Sequence, residues 1–137
     1  SRATSVFSGL RILCVDDQQE NLDAMQTLLT KWGIEVETAQ SYEQAVIVAQ
    51  HFSPQIVLAD YHLGNGPDGL AIIEAIRTEL NMIIPACLVT AKRGNDLIKL
   101  CKEQGVNYLS KPLKPAKLRT LVQSMTKFIR AAKVKTD

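Results

Sequence analysis

Hydrophobic positions along the chain follow two periods that take turns. Short apolar runs at Leu10–Val15, Ile34–Ala39, Gln55–Ala59, Ile83–Val89 and Tyr108–Ser110 read as strands. Between them lie segments with apolar residues three and four apart. Gln19–Trp32 aligns Leu22, Met25, Leu29 and Trp32, and Gly33 stops it. A second helix, N-capped by Ser41 with Gln44 in the capping-box position, buries Ala45, Val48, Ala49 and Phe52 and ends before Pro54. Gly69–Leu80 turns Leu70, Ile73 and Ile76 inward, and Asn95–Gln104 ends at Gly105. The last helix starts at Lys114-Pro115, with Leu118, Leu121, Val122, Met125 and Ile129 as its stripe. Pro85, inside the fourth apolar run, either weakens its pairing or marks its beginning. Five strands and five helices in strict alternation predict an α/β domain, doubly wound around a five-stranded parallel sheet.

Composition changes this picture little. The chain has 137 residues, 46% hydrophobic and 22% charged, which suits one domain with a sizeable core. Net charge is +2, with Lys and Arg spread out until Lys127–Lys135. That balance gives no electrostatic footprint for nucleic acid. Cys14, Cys87 and Cys101 are odd in number and far apart, so they read as core thiols in a reducing, cytoplasmic compartment. No apolar run reaches membrane-spanning length and no secretory signal opens the chain. Residues 1–9 read as a linker.

Chemistry gathers where the strands end. Leu10–Val15 runs into Asp16-Asp17, Gln55–Ala59 into Asp60, Ile83–Val89 into Thr90, and Tyr108–Ser110 into Lys111. Ligands of open parallel sheets bind beyond the carboxyl ends of the strands. Three carboxylates, a hydroxyl and an ammonium therefore meet at one edge. Close carboxylates repel by roughly 4 kcal/mol per pair at an effective dielectric near 20, so such a site needs a cation. An all-oxygen ligand set points to a hard divalent ion such as Mg²⁺. Asp60 can act as a nucleophile toward phosphorus, and Lys111 suits a phosphoryl oxygen.

The motifs CVDD at 14–17, LADYHLGNGPDG at 58–69, LVTAK at 88–92 and YLSKPL at 108–113 together resemble the receiver domain of bacterial two-component response regulators. The resemblance spans Leu10 to Met125. It implies a flavodoxin-like fold with strand order 2-1-3-4-5, a receiver over residues 10–130 and a basic tail over 131–137. It also implies that Asp60 accepts a phosphoryl group from a phosphohistidine of a kinase or a histidine phosphotransfer domain. Asp17, Asp60 and the backbone carbonyl of His62 would ligate Mg²⁺, with Asp16 acting through water. Thr90 would be the switch hydroxyl and Tyr108 the aromatic that follows it, and the Lys111-Pro112 bond would be cis. The face of the fourth helix, fifth strand and fifth helix would read out the change, and could pair two copies. The side chains of His62 and Lys92, each two residues past a site residue, would tune the lifetime of the acyl phosphate.

Each signal alone has a plain reading: acids start helices, Thr90 could be a strand-end residue, Lys111 a solvated charge, and Tyr108 a core or rim aromatic. His51 reads as solvated. A flavin mononucleotide site would want a Gly- and hydroxyl-rich loop where Asp16–Glu20 stands. An aspartate-nucleophile phosphatase would want an Asp in place of His62, and no P-loop is present. Two contexts fit: the C-terminal receiver of a hybrid sensor histidine kinase, and a stand-alone response regulator. A non-phosphorylated interaction module is the remaining alternative.

Overall fold

A computed structural model describes residues 6–136; residues 1–5 of the expected linker and Asp137 of the expected tail lie outside the described residues. The elements are β1 (Arg11–Val15), α1 (Gln19–Lys31), β2 (Glu35–Ala39), α2 (Tyr42–Phe52), β3 (Ile56–Ala59), α3 (Gly69–Leu80), β4 (Ala86–Thr90), α4 (Asn95–Glu103), β5 (Asn107–Ser110) and α5 (Pro115–Thr136). All strand pairs are parallel, in the order β2-β1-β3-β4-β5. This is the predicted doubly wound sheet.

Successive strand residues point to opposite faces, so near-continuous apolar strands build two cores. Leu13, Val15, Val57, Ala59 and Leu88 enter the layer that holds Ala45 and Ala49 of α2, Ile72, Ile73 and Ile76 of α3, and Leu97 and Cys101 of α4. Ile12, Cys14, Ile56, Leu58 and Cys87 enter the other layer with Leu22 and Leu29 of α1 and Leu118, Val122 and Met125 of α5. The three cysteines are buried and free. Burial, helped by the charge of Asp16, pushes the Cys14 thiol up to about 12, which keeps it an unreactive core group. His51 is exposed.

Local signals behave as their chemistry requires. Gly33 takes a φ of 83°, and the Ser41 hydroxyl accepts from the Gln44 amide at 3.3 Å. The Gln44 side chain reaches back to the amide of Gln40 at 2.8 Å. Asp68 caps α3, accepting from the Ala71 amide at 2.9 Å.

Four details differ from the sequence reading. The fourth strand begins at Ala86, not Ile83: Pro85 marks its start, having no N–H to donate, while its carbonyl accepts from Val57 at 3.1 Å. Ile83 is correspondingly 84% exposed. Phe52 is half-buried rather than core. Phe7, read with the linker, is 0% exposed. Its ring lies 6.0 Å from that of Trp32, and the Arg119 guanidinium stacks over both at 5.0 and 5.1 Å. Finally, α5 continues without a break through Thr136, so the basic tail begins as helix.

Candidate functional site

The sheet's hydrogen-bond ladder extends one residue past three of its strands. Asp16 N–H donates to Ala39 (3.1 Å), Asp60 N–H to Val15 (3.0 Å) and Lys111 N–H to Thr90 (2.9 Å). Backbone pairing therefore delivers these three side chains to one carboxyl edge, next to a cleft that runs between α1 and the β5–α5 connection.

Asp16 is buried, and both its oxygens are engaged. Oδ1 accepts from the Gln18 amide at 2.9 Å; Oδ2 accepts from Asn21 Nδ2 at 3.2 Å and from Lys111 Nζ at 3.0 Å. Asp60 Oδ1 accepts from the Tyr61 amide at 2.6 Å, and Oδ2 from Lys111 Nζ at 2.9 Å. The ammonium thus bridges two carboxylates. Burial alone would depress its pKa, but the hydrogen bonds it donates to Asp60 and Asp16, with the charges of those carboxylates, outweigh that and hold it above the usual lysine value.

Asp17 is half-buried beside them and is joined by no ion pair among the described residues. Gly64 runs past it with a φ of 67°, a left-handed backbone that favours glycine, and a Cβ there would make only ordinary contact with Asp17 Oδ2, at 3.9 Å. Among the described residues, no three His, Cys, Asp or Glu side chains form a ready cation cage. The cation that the carboxylates require is supplied from within the chain by Lys111. The all-oxygen donor set of Asp16, Asp17 and Asp60 still fits a hard divalent ion, since Lys111 pairs with only two of the three carboxylates.

Thr90 is 1% exposed, and its hydroxyl accepts from the Lys92 amide at 3.3 Å. The half-buried Tyr108 donates its hydroxyl to the Lys92 carbonyl at 2.6 Å. Both expected switch residues therefore hold the backbone of the same residue. The loop is tied to β5 once more, by Arg93 donating to the Lys111 carbonyl at 3.3 Å. Lys111-Pro112 is cis. His62 is exposed, with its ring edge-on to Tyr61 at 5.0 Å, and Lys92 is exposed.

The structure adds Asn21, Gln18 and Gly69 to the residues read from the sequence. A Cβ on Gly69 would stand 2.0 Å from the carbonyl oxygen of Asp60, while Gly69 N–H donates to Tyr61 at 2.8 Å. A glycine at the first position of a helix, where almost any residue serves, was the available hint. Nothing in the sequence pairs Asn21 with Asp16.

The family model for the response regulator receiver domain matches residues 12–123. The chain is 32% identical to the response regulator PleD of Caulobacter vibrioides over 120 residues, 86% of this chain and 26% of PleD. It is 35% identical to the sensor protein GacS of Pseudomonas syringae pv. syringae over 121 residues, 85% of this chain and 13% of GacS. The chain thus spans about a quarter or less of these relatives. A solved structure of the Vibrio cholerae chemotaxis protein CheY4 shares the fold, with a TM-score of 0.78 at 24% identity over 85% of this chain and 98% of that one. No helix among the described residues is long and apolar enough to cross a membrane.

Proposed function

Since the chain belongs to the response regulator receiver domain family, we propose that Asp60 accepts a phosphoryl group from a phosphohistidine in a two-component phosphorelay. One observation carries this: Lys111 Nζ lies 2.9 Å from Asp60 Oδ2 while the Tyr61 amide orients Oδ1. In the reaction an Asp60 oxygen attacks phosphorus and the phosphorus–nitrogen bond breaks. The new phosphorus–oxygen bond makes an acyl phosphate, and the histidine leaves as imidazole. Positioning and charge compensation are most of what such a transfer needs.

Lys111 holds the carboxylate before reaction and exchanges it for a phosphoryl oxygen afterwards. Mg²⁺ would be held by Asp17, Asp60 and the His62 carbonyl, with Asp16 acting through water. When bound it supplies the charge that offsets repulsion between Asp60 and the phosphoryl oxygens. Thr90 gives up the weak 3.3 Å bond from Lys92 to bond the phosphoryl group. Tyr108 follows because it holds the same residue. The change is a shift between two conformers with different contacts to the phosphoryl group. The side chains of His62 and Lys92 flank this group and set the access of water. The donor is a histidine kinase or a histidine phosphotransfer domain acting in the cytoplasm. The parent is a hybrid sensor histidine kinase, with a stand-alone regulator as the alternative.

Intact mass after incubation with Mg²⁺ and acetyl phosphate tests the reading. The expected result is one added phosphoryl group, absent in Asp60→Asn and in EDTA. No addition from either acetyl phosphate or a phosphorylated histidine kinase would leave the non-phosphorylated interaction module in its place.

A further inference from the structure

The first turn of α1 is built around a site carboxylate rather than around its own cap. Gln18 stands at the N-cap and makes no side-chain cap bond. Its amide instead donates to Asp16 Oδ1 at 2.9 Å. Asn21 is the third residue of the helix, where a capping-box side chain turns back to the cap amide. That amide is taken, and Asn21 Nδ2 donates to Asp16 Oδ2 at 3.2 Å. Glu or Gln is the usual residue at this position, and the helix dipole favours an acid there. An acid here would set a further carboxylate against buried Asp16, with no proton to share. Asparagine supplies a donor without a charge.

Asp16 Oδ2 therefore has two donors of different permanence. Lys111 Nζ, at 3.0 Å, also bonds Asp60 and turns to a phosphoryl oxygen in the proposed transfer. Asn21 takes no part in that exchange. It sits on a helix fixed by buried Leu22 and Leu29, and lines the same cleft as Asp16, Asp60 and Lys111. Asn21 is itself exposed, so core packing does not account for its bond to a buried acid. With the Gln18 amide on Oδ1, it gives each oxygen of Asp16 a neutral donor that stays when Lys111 moves.

We propose that Asn21 is a positioning residue. It holds Asp16 in the orientation that serves Mg²⁺ through water, and keeps it there while Lys111 turns to the phosphoryl group. The inference rests on the Asp60 reading and deepens it. Groups that hydrogen-bond the ligands of a metal site orient them, and losing one weakens metal binding by about tenfold or more. Lys111 and Asn21 share one oxygen of Asp16, so each covers in part for the other. Removing Asn21 therefore costs more Mg²⁺ affinity where Lys111 is absent.

The test is calorimetric titration of Mg²⁺ into the full chain as wild type, Asn21→Leu, Lys111→Met and the double variant. Leucine branches at the same carbon as asparagine, favours helix more and cannot donate, so α1 is kept while the bond is lost. Affinity for Mg²⁺ should fall about tenfold in Asn21→Leu. The fall should be larger in the Lys111→Met background. Phosphoryl gain from acetyl phosphate should slow in Asn21→Leu at low Mg²⁺ and recover as Mg²⁺ is raised. Unchanged affinity, no Mg²⁺ binding by the wild type, or a rate loss that excess Mg²⁺ leaves in place would overturn the proposal. So would an equal fall in both backgrounds, which is the mark of a helix-start residue that does not act through Asp16. If the affinities behave as stated and the wild type still gains no phosphoryl group, the Asp60 reading falls and the hold of Asn21 on Asp16 stands.

Discussion

Lys111 and Asp60 are fifty-one residues apart in the chain, yet Lys111 Nζ lies 2.9 Å from Asp60 Oδ2. The same nitrogen lies 3.0 Å from Asp16. One flexible cation therefore holds together carboxylates from two different strand ends. It can do so because the ammonium is a compact charge with three donors.

Lys111→Met should destabilise the fold by about 1–2 kcal/mol at neutral pH, since it leaves two carboxylates facing each other with a quarter of the lysine side chain already exposed to screening water. The folded-state pKa of Lys111 is raised, so its contribution is complete below the unfolded value of about 10.4 and is lost as pH rises through the folded value. Urea melts at neutral and strongly alkaline pH should show the gap between wild type and variant closing only at the alkaline end. A constant gap would deny the ion pair its role.

Gly69→Ala should damage the acceptor site from a distance. The added Cβ would meet the Asp60 carbonyl oxygen at 2.0 Å, and the obstacle is backbone rather than a yielding side chain. Relief requires α3 to move away from β3, at a cost of about 3 kcal/mol, the upper end of what overpacking usually costs. A lowered thermal midpoint together with slower modification by acetyl phosphate is expected.

Phe7→Ala should cost about 3–5 kcal/mol, as for other fully buried aromatics, and Arg119 and Trp32 would lose their stacking partner. Removing residues 1–9 should do the same. A truncated chain as stable as the full one in chemical denaturation would return Phe7 to the linker.

Arg77 ties three carbonyls together: Ile84 at 3.0 Å, Gln104 at 2.8 Å and Gly105 at 3.0 Å. The planar guanidinium suits this fork, and an ammonium cannot copy it. Arg77→Lys should therefore lose about 2–3 kcal/mol. Hydrogen exchange should quicken first at the turn between α4 and β5, where Val106 N–H bonds Cys101.

What could be read from the sequence was local. Helical periodicity placed α3 at its observed bounds, the glycine after Trp32 ended α1, and apolar runs ending in Asp16, Asp60, Thr90 and Lys111 located the edge where they meet. Such signals survive in a linear chain because side-chain periods and capping bonds span only a few residues. The tertiary structure decided the rest. Phe7 looks like linker until Trp32 and Arg119 close over it, and Arg77 looks like any helix-surface cation until the α4–β5 turn returns beneath it. Gly69 matters only because α3 starts against the Asp60 carbonyl. Each of these depends on which distant segments the sheet brings into contact, and nearest-neighbour chemistry holds no record of that.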